Sequence, residues 1–535
     1  MKQKLRIFSQ ILSGIAFSSV LNLHAAFALE PRTSNFQILP SLGTEVSSEP
    51  ALAQLLANAD HRLVKAGRAT DRWLDTLTYK HFFRGIEVLG SSVSIHNDGT
   101  QSQIQNGLAH FDLNTTPAFD EAQAKALTKS LVGYGFKEAS VQLKILPSGN
   151  DGQAQLAYWI SIEDPGPWNG REVILNAHTG DLIADMPGQE SLLTPDQALR
   201  REVKNARGTP IDVFSVRGQS TLAMTFEEMK TLDTSQNGTD IPARIDGVCQ
   251  AIYQEQALPI PLFWINDKEC DSMINGGVPT KTADQSALRA LRNAAKVYRY
   301  YLNVHERDSF DGQGSDIISI VHAHTPGASW SKQQNLLLYG DGDGKVFGDP
   351  TVGTDIAAHE ITHGVMKYSG GLPMIWDLGA INEANSDFFG EMVSEDLDWV
   401  IGKGIYVDNH KHRGVRDLKN PASIKWVTKS NPHPTPFPDH ISKKIQLGYR
   451  ESCTQYNDWC YVHENSTIVS HARYFVTQAI GKSKAEKLYY YVMTHGLSQV
   501  KDIPDEAHAT YYMCGLLYDT NTCDRVREAY GKVGL

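Results

Sequence analysis

At 535 residues the chain is too long for a single hydrophobic core and should divide into roughly three or four domains. Its hydrophobic content of 41% and charged content of 21% are ordinary for a globular protein. A net charge of -11 argues against nucleic acid or an anionic membrane surface as a partner.

The chain opens with basic Lys2, Lys4 and Arg6, an apolar run from Ile7 to Leu23, and small residues at Ala26 and Ala28. That order is the pattern of a cleavable export signal over residues 1–28. A membrane anchor is the competing reading, but Ser9, Gln10, Ser13, Ser18, Ser19 and Asn22 interrupt the run. No later segment reaches the eighteen or so apolar residues that a span needs, so the expectation is a protein exported and released. Residues 29–205 hold no cysteine and no catalytic motif. Within them His81–Val88 and Ser91–His96 alternate as strands about a turn, and Asp120–Gly133 reads as a helix. Strand-like Ser140–Leu146, Leu156–Glu163 and Arg171–Asn176 follow, closed by a turn at Ala177–Asp181. Leu199–Pro210 is polar, basic and bounded by glycine and proline, which predicts a flexible boundary open to cleavage.

From Thr209 to about Val352 the pattern is rich in strands and turns, with one helix over Ser286–His305 and a short strand at Asn335–Tyr339. Thr354–Tyr368 then contains His359-Glu360-Ile361-Thr362-His363. On a helix, residues four apart share a face, so His359 and His363 can offer two imidazoles to one metal ion, with Glu360 beside them to work on water. Gly370, Gly371 and Pro373 stop this helix, and a second runs from Ala380 to about Asp396. It carries Asn382, Glu383 and Asp387. Glu383 can supply the oxygen that completes a His, His, Glu zinc set, and Asp387, one turn on, can accept the second N–H of a ligating histidine. A structural metal, or no metal, is the competing reading. Beyond Asp396 the chain reads mainly helical, with long loops between about residues 402 and 462.

All 6 cysteines lie beyond residue 240. An even count in an exported chain reads as disulfides, and six cysteines allow 15 connectivities. Proximity favours Cys249 with Cys270, Cys453 with Cys460 and Cys514 with Cys523. No C-x-x-C pair supports a cysteine-rich zinc site.

On these residues the chain resembles the thermolysin family of secreted zinc endopeptidases. HEITH and INEANSD carry the likeness at the expected separation, and YRYYLNVHERDSFDGQGSDIISIVHAH, NLLLYGDGDG, RDLKNP and NDWCYVHENS extend it. It covers the chain from about residue 206 to the end, with family-type precursor segments upstream. The resemblance implies an α+β fold: a β-rich lobe over 206–353, a mainly helical lobe over 354–535, and zinc in the cleft between them. Residues 29–205 would be a propeptide of two modules acting as chaperone and inhibitor; a permanent accessory domain is the alternative.

The resemblance also assigns roles. His359, His363 and Glu383 hold zinc, Glu360 is the general base, and His463, oriented by Asp458, stabilises the transition state. Arg416 binds the substrate carbonyl, although without the resemblance a surface salt bridge would be the simpler reading. Ala328 and Trp330 lie on the edge against which substrate backbone pairs, with Gly327 where the family usually has Asn. Ile356, Ile401 and Val415 line a pocket for a bulky apolar residue after the scissile bond. Met374 stands where the family usually has an oxyanion-binding tyrosine. Asp355, Glu391 and Asp398 match calcium carboxylates, whereas Ser394, Val400 and Lys403 replace others, so the three could hold one structural calcium ion but not two; a solvated acidic face is the alternative. The expected enzyme is a monomer acting on proteins and peptides, inhibited by its own propeptide. A non-catalytic surface-binding or adhesion protein on the same fold is the alternative, and a zinc hydrolase of esters or glycans a more distant one. Retention of Glu360 favours the peptidase, since a binder has no use for a general base.

Overall fold

The structure is a computed structural model that describes residues 38–40, 58–70, 73–99, 101–106, 108–109, 111, 113–132, 138–146, 153–163, 171–187, 189–191, 212–217, 220–225, 265–266, 285–321, 327–332, 335–342, 344, 346–394, 396–407, 413–426, 434–446 and 451–535. The export signal, the Leu199–Pro210 boundary, Cys249 and Cys270 lie outside the described residues. No helix among the described residues is long and apolar enough to cross a membrane.

The amino-terminal part is built on a nine-stranded sheet: β1 (Ile38–Pro40), β2 (His61–Thr70), β3 (Asp75–Phe83), β4 (Ile86–Asn97), β5 (Gln101–Asn106), β6 (Glu138–Leu146), β7 (Gln155–Glu163), β8 (Arg171–Asn176) and β9 (Leu182–Pro187). The order is β1-β5-β4-β6-β7-β8-β9, with β3 also on β4 and β2 on β3. Every pairing is antiparallel except β4 with β6, which runs parallel over Glu87–Val88 against Lys144–Ile145. The two expected modules therefore share one continuous sheet. Helix α1 (Glu121–Val132) packs on β6 and β7. Its start is set by a reciprocal cap, in which Gln123 N–H donates to Asp120 Oδ1 at 2.8 Å and Asp120 N–H to Gln123 Oε1 at 2.9 Å. Alternate residues Leu156, Tyr158, Ile160 and Ile162 of β7 face the helix side and form the core with Val88, Ile145, Val173 and Ala124.

A second sheet has the order β10 (Gln189–Ser191), β15 (Ala328–Ser331), β16 (Leu336–Tyr339), β14 (Asp316–Ile320), β11 (Asp212–Arg217), β12 (Ser220–Thr225), β13 (Ile265–Asn266). Only β14 and β16 are parallel. Without β10, strand β15 would be the sheet's edge. Helix α2 (Gln285–His305) packs on α3 (Thr354–Tyr368), and Tyr301 Oη and Thr362 Oγ1 join the two helices at 2.7 Å.

Helices α3 and α4 (Trp376–Val393) form the centre. Ile356 to Met366 of α3 and Asp377 to Val393 of α4 are buried without interruption, so neither helix has a solvated face. Between them Gly370 and Gly371 take φ of +109° and +55°, which ends α3 as the glycines predict. The second helix begins earlier than its apolar spacing suggested, at Trp376, and stops at Val393 rather than Asp396. Helix α5 (Asp458–Ile480) follows, then α6 (Lys482–Tyr491), α7 (Ile503–Leu517) and α8 (Thr520–Gly531). Cys453–Cys460 and Cys514–Cys523 form the disulfides expected from proximity.

Gly364 marks how closely the lobes pack. A Cβ there would lie 2.6 Å from Cζ2 of the fully buried Trp330 ring. Replacing a helical glycine by alanine gains up to about 1 kcal/mol of propensity, but overpacking a rigid indole costs about 1–3 kcal/mol. Gly364→Ala should therefore lower the urea unfolding midpoint; an unchanged or raised midpoint would contradict this packing.

Candidate active site

The i, i+4 spacing on α3 and the antiparallel return of α4 bring three ligand atoms together. His359 Nε2 and His363 Nε2 are 3.1 Å apart, and the Glu383 oxygens lie 3.4 Å from each. Ligands bound tetrahedrally to zinc at about 2.0–2.1 Å are separated by roughly 3.3 Å, so the donor set fits that ion without rearrangement. Among the described residues it is the one cluster of His, Cys, Asp and Glu side chains close enough to hold a metal.

All three side chains have 0% exposure, as do Arg416 and His463, so each charge requires a partner. His363 Nδ1 is 3.0 Å from Asn382 Oδ1 and 3.1 Å from Ser386 Oγ. Ser386 was not singled out from the sequence, although it lies three residues after Glu383 on the same face of α4. Asp387 Oδ1 is 3.0 Å from His359 Nδ1, an electrostatic contact without straight hydrogen-bond geometry. Asp387 is in turn gripped by Arg416, which donates from Nε at 2.7 Å and Nη2 at 2.6 Å. Arg416 Nη2 also lies 3.4 Å from Glu383 Oε2. The surface salt bridge that the isolated sequence would favour is thus a buried bidentate pair, reached because β17 (Val400–Ile401) pairs with β18 (Arg416–Asp417) and turns the guanidinium inward.

His463 is inside α5. Four residues at its start, Asp458 to Tyr461, have positive φ, and this left-handed turn folds the Asp458 carboxylate back onto His463. Asp458 Oδ2 accepts the His463 backbone N–H at 2.7 Å, and Oδ1 lies 2.8 Å from Nδ1. The other ring nitrogen, Nε2, is left 3.5 Å from Glu383 Oε2, aimed at the metal ligands. Burial alone would make the ring less basic, but Asp458 and Glu383 outweigh it and raise His463 to about 9.

Glu360 is buried on α3 beside His359. Ile356, Ile401 and Val415 are buried nearby, with Val415 N–H donating to Ile401 O at 2.7 Å. Ala328 and Trp330 are buried in β15, and Met374 is buried between α3 and α4.

Asp355, Glu391 and Asp398 lie near enough for Asp398 and Asp355 to repel charge on Glu391, but they do not close on one point as the zinc set does. Gly402 N–H donates to Asp355 Oδ2 at 2.7 Å, and Lys403 Nζ meets Asp398 Oδ2 at 2.5 Å. Burial, with repulsion from Asp398 and Asp355, pushes Glu391 up to about 8. The adjoining cavity, about 580 Å³, mixes Asp355, Asp396 and Asp398 with Lys296, Lys403 and Arg413. Lys403, one of the residues that replace acidic ones here, pairs with Asp398.

The thermolysin metallopeptidase catalytic-domain model matches residues 266–367, and the model of its alpha-helical domain matches residues 372–535. The two meet across the zinc-binding helices. The chain belongs to the thermolysin family. It is a zinc metalloendopeptidase of α+β fold, and that family's catalytic ion is zinc. Bacillolysin from Brevibacillus brevis is 26% identical over 512 residues, 90% of this chain and 86% of that protein. Thermolysin from Alicyclobacillus acidocaldarius is 27% identical over 526 residues, 90% of this chain and 87% of that one. Among solved structures, the precursor of protealysin, a metalloproteinase from Serratia proteamaculans, aligns over 47% of this chain and 79% of its own with 26% identity and a TM-score of 0.42.

The carboxylates around His359 also determine how this thermolysin-family site takes up zinc. Burial would lower the basicity of His359, but Glu383 and Asp387 outweigh it and raise the ring to about 10 in the metal-free chain. A proton therefore occupies the ligand cluster below that pH, and zinc must displace it. Apparent zinc affinity should rise with pH, approaching roughly tenfold per unit between pH 6 and 8. Competition against a chromophoric chelator measures this, and a flat profile would mean that no proton is displaced.

Proposed function

We propose that the chain is an exported endopeptidase, made as a self-inhibited precursor, that cleaves on the amino side of bulky hydrophobic residues. The observation that carries this reading is β10. It pairs antiparallel with β15 through Gln189↔Ser331, Glu190↔Trp330 and Ser191↔Ser329, along the edge expected to receive substrate backbone. While it is there, a substrate strand cannot be added. Cleavage in Leu199–Pro210 and release of the upstream sheet would free that edge.

Once zinc is bound, it supplies Lewis acidity toward the scissile carbonyl and makes the attacking water more acidic. Glu360 takes the proton of that water and returns it to the leaving amine. His463 Nε2–H is directed toward the charge that develops on the carbonyl oxygen, and Asp458 keeps the ring protonated and oriented. Arg416 holds Asp387 and hence His359 in register, and it is close enough to Glu383 to offset part of the carboxylate charge. Ile356, Ile401 and Val415 give the pocket after the scissile bond its apolar lining, which favours Leu, Ile or Phe there.

The exported chain expressed beside Glu360→Gln tests the assignment. Wild type should mature and cleave an internally quenched peptide with Leu or Phe after the scissile bond, while Glu360→Gln binds zinc but does neither. A wild-type chain that matures, binds zinc and yet cuts neither this peptide nor casein would overturn the reading. Met374 cannot donate a hydrogen bond to an oxyanion. Because one such donor is worth roughly a hundredfold in rate, Met374→Tyr should increase kcat; an unchanged or lower kcat would count against Met374 facing the reacting carbonyl.

A further inference from the structure

Strand β9, immediately before β10, meets the helical lobe as well. Cys453 N–H donates to Ile183 O at 2.9 Å, and Asp185 N–H donates to Cys453 O at 3.0 Å, so residue 453 pairs with β9 as an added strand residue parallel to it at Ala184. Ser452 Oγ–H donates to Leu182 O at 2.6 Å, and Trp459 Nε1–H to Asp185 O at 2.9 Å. All four bonds read main-chain atoms of residues 182–185; none depends on which side chains those residues carry. Ala184 and Met186 join one buried cluster with Ile375, Trp376, Trp459 and the Cys453–Cys460 disulfide.

We infer that Ser452, Cys453 and Trp459 form a second peptide-binding edge of the enzyme, which grips an extended apolar stretch of protein substrate by its main chain while another part of the same substrate lies on β15. The inference rests on the reading that the upstream sheet leaves the mature enzyme. Its departure strips hydrogen-bond partners from Cys453, Ser452 and Trp459 and uncovers Ile375 and Trp376, leaving polar backbone groups beside apolar surface. That combination is what an extended chain with alternating apolar residues satisfies.

Position supports the same occupant. Asp185, at this edge, and Glu190, paired on β15, are five residues apart in the chain, a reach of at most roughly 17 Å. A substrate lying on β15 in the direction of β10 would reach Cys453 with residues on its amino-terminal side. The edge is also rigidly tied to the catalytic groups, because the disulfide joins Cys453 to Cys460 within the left-handed turn that sets Asp458 on His463.

The test uses mature wild-type enzyme and two internally quenched peptides with the same scissile region, one extended by six residues on the amino side with apolar residues at alternate positions. The long peptide should have a KM about tenfold lower at similar kcat. N-methylating the residue that faces Cys453 O should remove most of that advantage, and Trp459→Phe, which keeps an apolar ring but loses the N–H, should reduce the long-to-short ratio of kcat/KM about threefold. Anisotropy of an uncleavable, labelled long peptide reports binding even if turnover is poor. Equal KM for the two peptides, or an advantage that survives both changes, overturns the second edge. A chain that keeps its full mass after export overturns the precursor reading instead, a result seen on a gel before any peptide is added.

Discussion

The site depends on a constraint set by burial: two imidazoles, two carboxylates and a guanidinium are packed out of water at the junction of α3, α4 and β18. Such charges cost many kilocalories per mole if left alone, and they are tolerated only because each is met by another. Asp387 is the hinge of this arrangement, since it touches His359 on one side and is held in a bidentate grip by Arg416 on the other. The same guanidinium approaches Glu383, so the ligand set, its supports and β18 are fixed relative to one another by short contacts. The preorganisation that catalysis needs is thus already a requirement of folding.

His463 extends the network from a third element. The left-handed turn at Asp458–Tyr461 places four non-glycine residues where L side chains are disfavoured, and a conformation of that kind persists only when its surroundings hold it. Three features do so here: Asp458 bonded to His463, Asn457 Oδ1 accepting from Cys460 N–H, and the Cys453–Cys460 bridge. Trp459 adds a fourth hold by reaching the backbone of β9. The segment of β9 and β10 therefore touches the rest of the chain both at β15 and at the turn that orients His463.

Much of the site could be read from the order of residues. HEITH works as a sequence signal because a helix has a fixed period, and α3 delivers both histidines to one point as that period requires. Glu383 and Asp387 were legible for the same reason on α4. The start of α4 was not, because Trp376 enters through a left-handed backbone conformation that no local residue preference announces. The calcium expectation came from matching carboxylates by position; Lys403 beside Asp398 and the Gly402 amide on Asp355 alter what those carboxylates meet. β10 was invisible, since three residues carry no periodicity and gain strand identity only by pairing with β15.

The sequence by itself indicated the zinc ligands, the class of reaction and the helices that carry them, because the histidine pair depends on spacing within about one helical turn and Glu383 on a short return to a second helix. It also indicated two of the disulfides, through short loops that bring their cysteines together. Tertiary structure alone decided that Arg416 is buried on Asp387 rather than solvated, that Ser386 and Asn382 both support His363, and that residues 182–191 run from Cys453 to β15. Those contacts join segments tens to hundreds of residues apart. Their energies come from burial and from partners that only the folded chain brings into reach, so no local pattern encodes them.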